Sequence, residues 1–350
     1  MSSDSAAVER AAMTRALELA LRGPARDPNP RVGCVLLGAH EAGAGGRTLG
    51  EGWHRGAGTP HAEVAALADA AARGEDVRGA TAVVTLEPCA HTGRTGPCAQ
   101  ALVAAGVARV VVAVEDPNPV AAGGADVLRA AGVVVETGLL ADEGRALLGA
   151  WLPTLGRDRP FVTLKTATTL DGRVAAHDGS SRWITSEVAR RHAHELRGQV
   201  DAIVVGTGTA LRDDPTLTAR TADGGLQAHQ PLRVVVGRRD LPGTARLRGP
   251  GGELVLLRTH DPADVLRALG ERGVRRVLVE GGPTLAAAFV RAGLVDELHA
   301  YVAPVLLGSG PAAVADLGIT SIGGAVRFLP VSVLPLGPDV LVVAAPTREA

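Results

Sequence analysis

The stretch "ATAVVTLEPCAHTGRTGPCAQALVAAGVARVVVAVE" (residues 80–115) determines the fold class of the chain. It begins with a β-branched run at 80–87 and passes through a Gly-rich polar loop. An Ala- and Leu-rich segment at 97–106 follows, and then a second β-branched run at 108–115. Strands that alternate with helices in this way predict an α/β domain. The chain is therefore predicted to be an α/β protein.

The segments on either side extend this pattern into a three-layer αβα domain at residues 1–150. A Gly-rich loop separates two apolar segments, 31–38 and 47–54, which are predicted to pair as a hairpin. A helix is predicted to begin near Pro60, and a further strand is expected at 132–138. The apolar face of that helix is predicted to contain Val64, Leu67, Ala68 and Ala71.

A second alternation of strands and helices predicts another α/β domain at residues 159–350. The segment "LPTLGRDRP" (152–160) reads as the linker before it. The predicted strands are 161–167, 201–206, 232–237, 253–257, 275–282 and 296–308. The predicted helices are 186–198, 262–270 and 283–293. A length of 350 residues agrees with two domains of ordinary size.

The composition argues against several classes of protein. Lys and Arg number 36 against 37 acidic residues, so no global basic field attracts nucleic acid. Aromatic residues form 2% of the chain, which leaves few platforms for stacking bases. No apolar run is long enough for a membrane span, and the N-terminus does not resemble a signal peptide. Three cysteines are too few for a disulfide framework, so a cytoplasmic location is expected.

Four residues have the types and spacing of a catalytic zinc site. His61 and Glu63 lie two positions apart at a predicted helix start, and Cys89 and Cys98 each follow a proline. One imidazole and two thiolates are three ligands, which leave a coordination position for water. Zinc lowers the pKa of such a water to about 7, and the Glu63 carboxylate suits the transfer of its proton. The pattern predicts a hydrolytic Zn²⁺ site.

The predicted helix starts account for the placement of these residues. Thr59 is predicted to cap the helix and Pro60 to occupy its first position, and the proline before the second cysteine is expected to do the same. Taken separately, a His-x-Glu pair at a helix start is common. Cys89 and Cys98 by themselves also suit a redox pair or a buried core. Cys34, in the apolar run "VGCVLL", is predicted to be a core residue.

Longer motifs give the chain a resemblance to one family. "DPNPRVGCVLL" (27–37) precedes the zinc pattern and "DPNP" (116–119) follows it. The second half contains "LKTATTLDGRVA", "SSRWITSEVAR", "GTGTALRDDPTLTAR" and "LVEGGPTLAAAFVRAGLVDELHAYVAPVLLG". From about residue 10 to 345 the chain resembles the bifunctional deaminase/reductase family of riboflavin biosynthesis. The resemblance implies a cytidine-deaminase-like first domain and a dihydrofolate-reductase-like second domain.

The same resemblance implies two reactions and two cofactors. With Zn²⁺, the first domain would deaminate 2,5-diamino-6-(5-phosphoribosylamino)pyrimidin-4(3H)-one. With NADPH, the second would reduce the ribosyl group to ribityl. The implied zinc ligands are His61, Cys89 and Cys98, with Glu63 as the proton carrier. The implied substrate contacts of the first domain are Asn29, His91 and Arg94, since an amide suits a pyrimidine edge and a guanidinium suits a phosphate.

In the second domain the resemblance implies one set of residues for the substrate and another for NADPH. The substrate set is Lys165, Ser181, Thr185, Leu217, Arg220 and Glu280. The NADPH set is Ala167, Trp183, Thr209, Asp213, Gly282, Pro283, Thr284, Leu285, Ala286, Ala287 and Ala288. The last seven have a Gly-then-helix pattern whose free amides suit a pyrophosphate. A homo-oligomer, either a dimer or a tetramer, is also expected from the resemblance.

Several positions depart from the usual pattern of the family. Ala90 and Gly96 replace a common serine and proline, Val305 replaces a lysine, and Gly237 with Arg238 replaces Asp–Ser. Arg238 suits the 2′-phosphate of NADPH and equally well a surface position. These changes leave open a deaminase whose second domain does not reduce. A zinc-stabilised nucleotide-binding module and a nucleic-acid-editing deaminase are further alternatives, and the near-neutral charge argues against the latter.

Overall fold

The structure is a computed structural model that describes residues 3–24, 27, 29–39, 46–91, 96–118, 121–149 and 151–347. The chain divides into two compact units, Met1–Gly156 and Arg157–Ala350. Each unit is built around its own β-sheet with helices packed against it. No helix in these described ranges is both long and apolar enough to cross a membrane.

The first unit has a five-stranded sheet. Its strands are β1 (Gly33–Leu37), β2 (Thr48–Trp53), β3 (Thr81–Leu86), β4 (Arg109–Val114) and β5 (Val134–Thr137). Its helices are α1 (Ser3–Leu21), α2 (Ala62–Ala72), α3 (Cys98–Ala104), α4 (Gly124–Ala130) and α5 (Ala141–Leu148). The strand order is β2-β1-β3-β4-β5, with β1 antiparallel to both neighbours and β3, β4 and β5 parallel. The predicted hairpin is therefore confirmed, and β3, α3 and β4 form a βαβ unit.

Helices cover both faces of this sheet. Met13 of α1 lies in the core on one face, and Leu102 of α3 lies in the core on the other. Neighbouring residues of a strand point to opposite faces, so Val83 of β3 enters the first core and Val84 the second. Cys34 is fully buried in the second core, as predicted. The three-layer αβα architecture is confirmed.

The face that α2 presents to the sheet differs from the predicted one. The buried ridge of α2 consists of Ala62, Glu63, Ala66 and Ala70. The predicted face is wrong, since its members are half-buried or exposed: Val64, Leu67, Ala68 and Ala71. The cause is the close approach of α2 to β2, where a Cβ on Gly52 would lie 2.3 Å from the carbonyl oxygen of Ala62. At this separation the helix packs through alanine, and the larger apolar side chains lie at its flanks.

The second unit has an eight-stranded sheet. Its strands are β6 (Phe161–Thr169), β7 (Ala202–Gly206), β8 (Leu232–Val236), β9 (Leu254–Leu257), β10 (Arg276–Val279), β11 (Glu297–Ala303), β12 (Phe328–Leu336) and β13 (Asp339–Pro346). Its helices are α6 (Glu187–Gly198), α7 (Thr207–Asp213), α8 (Pro262–Gly270) and α9 (Pro283–Arg291). The order is β12-β13-β11-β6-β10-β7-β8-β9, and the strands from β11 to β9 are parallel.

The strands and helices predicted for this unit are present, and three further elements were not predicted. These are α7 and the antiparallel pair of β12 and β13. Pro330 and Pro335 in β12 argue against a strand in the sequence. They are tolerated because β12 is the edge strand of the sheet, where an amide N–H can be missing.

Candidate functional site

Three potential metal ligands meet in the first unit. His61 lies directly before α2, Cys89 follows β3, and Cys98 begins α3. The Nδ1 atom of His61 is 3.6 Å from Cys89 Sγ and 3.2 Å from Cys98 Sγ, and the three ligand atoms lie within 4.8 Å of one another. Tetrahedral zinc, with bonds of about 2.0 Å to nitrogen and 2.3 Å to sulfur, spaces its ligand atoms by about 3.5–3.8 Å. The residues therefore fit one zinc ion.

The two helix starts differ in detail from the prediction. His61 itself is the N-cap residue of α2 and makes no side-chain cap, and the proline before Cys98 is the N-cap residue of α3 rather than its first residue. Thr59 does not cap the helix, because its hydroxyl donates to the carbonyl oxygen of Gly56 at 2.7 Å. The capping prediction is therefore wrong. The ligands still lie at helix starts, where free amides favour a thiolate.

The sulfur of Cys89 is stabilised as a thiolate. It accepts a hydrogen bond from the amide N–H of Cys98 at 3.5 Å. A hydrogen bond with the Cys98 thiol and a second one with His61 lower the pKa of Cys89 to about 4, against the opposing effect of burial. The thiolate is the form of cysteine that binds metal. Cys89 is thus already in the form that binds metal, whereas a hydrogen bond to Cys89 and burial raise the pKa of the Cys98 thiol.

Glu63 is buried beside these ligands. It lies in the first turn of α2, and only 3% of it is exposed. Burial raises the pKa of Glu63 to about 7; the Cys89 thiolate adds to this effect, and His61 opposes it. A carboxyl group with a pKa near neutral pH can both accept a proton and return it.

His61, Cys89 and Glu63 line a cavity of about 380 Å³ within the first unit, a volume typical of small-molecule sites. Asn29 and His91, two of the predicted substrate contacts, line it. Arg94, the third, lies outside the described residues. Asp116 and Asn118 also line the cavity. The repeated "DPNP" motif is the sequence feature that could have indicated them. In both copies the backbone N–H of the Asn donates a hydrogen bond to the Asp carboxylate at 2.9 Å.

Asn29 is oriented by His54, a cavity residue that the sequence did not indicate. His54 Nδ1 lies 3.2 Å from the carbonyl oxygen of Pro60 and therefore carries the proton. Its Nε2 atom then accepts a hydrogen bond from the Asn29 amide nitrogen at 3.1 Å. Burial lowers the pKa of His54, which keeps the imidazole neutral as this arrangement requires. The side-chain oxygen of Asn29 and one of its N–H groups remain for a ligand.

Glu87, a residue of the cavity lining, connects the loop of Cys89 to two segments further along the chain. Its carboxylate accepts hydrogen bonds from the backbone N–H groups of Asp116 at 3.0 Å and Ala125 at 2.9 Å. Both segments are far from Glu87 in sequence, so no local pattern indicated this role. One buried side chain thus ties the loop after β4 and the first turn of α4 to the segment that carries Cys89.

In the second unit, Lys165 and Glu280 lie together. Lys165 extends from β6, and Glu280 follows β10, the neighbouring strand. Lys165 Nζ is 3.9 Å from Glu280 Oε2. Both carboxylate oxygens of Glu280 accept hydrogen bonds from Arg197 of α6, at 2.7 and 2.8 Å. Arg197 was not singled out in the sequence, since an arginine on an amphipathic helix is ordinarily a surface charge.

Two of the predicted NADPH residues, Thr209 and Gly282, meet at the start of α9. Gly282 is the N-cap residue of this helix, and its amide N–H donates to the Thr209 hydroxyl of α7 at 3.0 Å. Asp213 at the end of α7 accepts a hydrogen bond on its carbonyl oxygen from Arg182, the residue before Trp183. The Trp183 ring is 69% exposed. The remaining members of this set are Ala167 in β6 and Pro283 to Ala288 in α9.

The other predicted substrate residues of the second unit are not joined to Lys165 by hydrogen bonds within the described ranges. Ser181 is exposed, and the carbonyl oxygen of Thr185 accepts from Arg190. Leu217 is buried with a positive φ of 49°, and Arg220 donates to the carbonyl oxygen of Gly224. Lys165 and Glu280 thus lie close together. The other four residues lie in loops: Ser181, Thr185, Leu217 and Arg220.

One departure from the family pattern has a steric reason. Gly237 has a φ of 130°, and a Cβ there would lie 2.7 Å from the Thr207 hydroxyl oxygen. An aspartate at this position would be strained and would collide with the start of α7. Arg238, the next residue, is exposed.

Comparison with known proteins identifies the two halves of the chain. Residues 7–114 match the cytidine and deoxycytidylate deaminase zinc-binding region, and residues 160–342 match the RibD C-terminal domain. The riboflavin biosynthesis protein RibD of Mycobacterium tuberculosis (strain H37Rv) is 51% identical over 315 residues, which cover 90% of each chain. The chain belongs to the RibD family. The RibD of Escherichia coli K12 is 40% identical and covers 94% of this chain and 96% of its own.

Solved RibD structures have the same two-part architecture. A diaminohydroxyphosphoribosylaminopyrimidine deaminase/5-amino-6-(5-phosphoribosylamino)uracil reductase from Thermotoga maritima superposes with a TM-score of 0.82 at 33% identity, covering 98% of this chain and 99% of its own. RibD from Acinetobacter baumannii gives a TM-score of 0.80 at 38% identity, covering 98% and 100%. The cytidine-deaminase-like domain followed by a reductase domain is therefore confirmed.

Membership of the RibD family establishes the general activity of the chain. It is a bifunctional enzyme of riboflavin biosynthesis that combines a deaminase with a reductase. The two predicted cofactors, Zn²⁺ and NADPH, are those of the deaminase and reductase domains. The alternative of a nucleotide-binding module without catalytic activity is thereby excluded.

Proposed function

We propose that the chain catalyses two consecutive steps on one phosphoribosylaminopyrimidine. The first is hydrolytic deamination of 2,5-diamino-6-(5-phosphoribosylamino)pyrimidin-4(3H)-one, and the second is NADPH-dependent reduction of its ribosyl group to ribityl. The observation that carries the proposal is the cluster of His61, Cys89 and Cys98 beside the buried carboxyl group of Glu63. The assigned domain limits are residues 1–150 for the deaminase and 159–350 for the reductase.

The deaminase site is assigned from its donor atoms. His61 Nδ1 and the thiolates of Cys89 and Cys98 would hold the zinc, which when bound supplies a water that ionises near neutral pH. Glu63 takes up a proton on its buried carboxylate and delivers it to the amine that leaves. Its burial excludes bulk water from this transfer. Metal binding and proton transfer by different residues require three protein ligands and one carboxylate that does not bind the metal.

The pyrimidine is assigned to the cavity in front of these residues. The free amide oxygen and N–H of Asn29, held in place by His54, can each pair with a group on the edge of the ring. His91 lines the same cavity and is assigned to the substrate with it. Arg94 is proposed to bind the phosphate through its guanidinium.

The reductase site is assigned around Lys165 and Glu280. Substrate contacts are proposed for Lys165, Ser181, Thr185, Leu217, Arg220 and Glu280. The NADPH contacts are proposed for Ala167, Trp183, Thr209, Asp213 and Gly282 to Ala288. The protein orients the sugar against the cofactor, and hydride transfer is the chemistry that NADPH supplies when bound. Glu280 retains a free lone pair on each oxygen beyond its bonds with Arg197, so it can accept from sugar hydroxyls.

A cytoplasmic homo-oligomer with small-molecule rather than nucleic-acid ligands completes the proposal. β12 is an edge strand with large exposed apolar side chains, which is an arrangement suited to a second copy of the chain. The most exposed of these in β12 are Leu329, Val331, Val333 and Leu334. Light scattering of the purified protein measures the oligomeric state directly.

The test is a coupled assay with purified protein, the phosphorylated diaminopyrimidinone and NADPH. Ammonia release and the loss of NADPH absorbance are followed together, and the proposal predicts that the first precedes the second. Glu63→Ala is expected to retain zinc, to lose ammonia release by at least about 10²-fold, and to consume NADPH once it is given the deaminated intermediate.

Two other outcomes of this assay would change the assignment. Ammonia release without NADPH consumption would identify a deaminase whose second domain does not reduce. If a folded, zinc-loaded protein gave no ammonia release and no NADPH consumption, the substrate would be a different molecule.

A further inference from the structure

Lys165 occupies a singular place in the chain, because it is the only lysine among 36 basic residues. Every other cation of the sequence is an arginine. A lysine carries a compact charge with three donors on a flexible stem, whereas arginine carries a broad planar fork. The position therefore accommodates a small cation. The groups around its ammonium show what holds it in place.

The ion pair with Glu280 does not hold this ammonium in place. At 3.9 Å the contact is beyond hydrogen-bond length, and Arg197 already engages both oxygens of the carboxylate. None of the described residues accepts a hydrogen bond from Lys165 Nζ in the structure. The ammonium lies instead 5.5 Å from the ring centroid of Tyr301, within the range of a cation–π interaction.

Tyr301 is the only tyrosine of the chain, and it lies beneath the proposed reductase site. It belongs to β11, where it pairs in register with Ala167 of β6, two residues after Lys165. Lys165 and Ala167 point to the same face of the sheet as the Tyr301 ring. The ring is 1% exposed and packs against Ala189 and Ala193 of α6.

The Tyr301 ring is itself fixed from the helix side. Its hydroxyl is hydrogen-bonded to His192 Nδ1 of α6 at 2.8 Å. The same helix supplies Arg197 to Glu280, so α6 anchors both groups that lie next to Lys165. The phenol is thus held at its far end, while its face remains against the ammonium.

We propose that Tyr301 is a positioning residue of the reductase: its ring holds the Lys165 ammonium in place with three N–H donors free for the substrate, and His192 fixes the ring. This inference rests on the proposed role of Lys165 as a substrate contact. Burial and the charge of Arg197 lower the pKa of Lys165 although Glu280 raises it, so a further group that stabilises the charged form matters at this site.

Two substitutions of Tyr301 separate the ring from its hydroxyl. Tyr301→Phe keeps the aromatic face, and Tyr301→Leu removes it. Phe161→Leu is the matched control, because it removes another buried ring that contacts a cation, Arg157 at 5.4 Å, from the same sheet. The deaminase activity of each full-length variant reports on protein concentration and on the first unit. Thermal unfolding reports on the second.

The first measurement exploits the single lysine. Reductive methylation with ¹³C-formaldehyde labels Lys165 and the N-terminal amine alone, and NMR titration of the dimethyl-lysine signal gives the pKa of Lys165. The expected result is a lower pKa in Tyr301→Leu than in wild type, with Tyr301→Phe and Phe161→Leu unchanged. An unchanged pKa in Tyr301→Leu, or an equal fall in Tyr301→Phe, would overturn the proposal.

The second measurement is reductase kinetics with the deaminated substrate. Loss of a desolvated cation–π contact is expected to lower kcat/KM about tenfold in Tyr301→Leu and less than about twofold in Tyr301→Phe. A role in packing alone would instead lower the unfolding temperature of Tyr301→Leu without a specific effect on kcat/KM, and this result would refute the positioning role.

The two readouts also distinguish failure of this inference from failure of the proposed function. If wild type consumes no NADPH, the proposed reductase reaction is wrong, while the NMR titration still tests the contact between Tyr301 and Lys165. If wild type reduces the substrate and the Lys165 pKa is indifferent to the ring, only the role of Tyr301 fails.

Discussion

The pKa of the buried Glu280 carboxylate depends on the charges of its neighbours. Burial by itself would raise its pKa, but the charges of Arg197 and Lys165 outweigh this effect and lower the pKa to about 2. The side chain is 7% exposed, so solvent screens these interactions little. Glu280 is therefore ionised throughout the neutral range, and both of its oxygens can act only as hydrogen-bond acceptors.

The depressed pKa of Glu280 predicts a pH-dependent contribution to stability. The folded pKa of about 2 lies below the unfolded value of about 4.3, so the stabilisation is present above pH ~4.3 and is lost as the pH falls toward 2. Glu280→Gln is expected to lower the free energy of unfolding by about 3 kcal/mol at pH 7, because Arg197 is left without its partner. Urea unfolding of the second unit measures the difference, which should shrink between about pH 4 and 2.

The matched control for Glu280→Gln is Glu253→Gln. Glu253 pairs with Arg272 at the surface, where both side chains are exposed, and its loss is expected to cost less than about 1 kcal/mol. A difference between wild type and Glu280→Gln that remained constant from pH 7 down to 2 would contradict the assigned pKa.

At the scale of elements, the packing of α2 on β2 positions the deaminase site. The start of α2 carries His61 and Glu63, and its distance from the sheet is set by the absence of a side chain at Gly52. A Cβ at this position would lie 2.3 Å from both the Ala62 carbonyl oxygen and the Ala66 nitrogen. Both atoms belong to the helix backbone, so a rotamer change cannot relieve the collision.

Gly52→Ala is therefore expected to displace the start of α2. We expect a loss of about 1–3 kcal/mol in the stability of the first unit, together with weaker zinc retention and a lower deaminase kcat. Chelator competition measures the zinc affinity, and thermal unfolding measures the stability. Gly96→Ala is the control, since a Cβ on Gly96 meets nothing within 4 Å. If Gly52→Ala retained zinc as well as wild type, the position of α2 would not depend on the absence of a side chain at residue 52.

The elements differed in how well their sequences predicted them. The strands around 80–115 were predicted because buried parallel strands are continuous β-branched runs. β12 was missed because it is an exposed edge strand interrupted by prolines. The buried face of α2 was predicted wrongly because hydrophobic periodicity favours large side chains, whereas the close approach at Gly52 selects alanine.

At the scale of the molecule, the two catalytic functions belong to two separate compact units with separate cores. The first unit buries two large apolar clusters that do not include the zinc ligands, and Cys89 and Cys98 lie in a smaller third cluster with Ala121. Three protein ligands, two of which (His61 and Cys89) line a cavity, form a site for chemistry rather than a cross-link that holds the fold together. Zinc removal is accordingly expected to abolish the deaminase activity and to leave the reductase activity unchanged.

Dialysis against a chelator is expected to abolish ammonia release while the far-UV circular dichroism spectrum remains unchanged. NADPH consumption with the deaminated intermediate should continue at the wild-type rate, and added Zn²⁺ should restore deamination. Unfolding of the first unit on chelation would instead indicate a structural zinc, because binding energy would then be folding energy. The zinc content of each sample is measured in parallel.

The sequence by itself determined the α/β class, the two-domain organisation and the chemistry of the metal site. The reason is that periodicity and residue type are local properties, and few combinations of imidazole, thiol and carboxylate suit a catalytic zinc. Only the tertiary structure decided which distant residues meet. Arg197 and Glu280 are 83 positions apart, and Tyr301 reaches Lys165 through the register of β11 on β6. Strand order and register are non-local, so the surroundings of a functional side chain emerge only when the sheet is assembled.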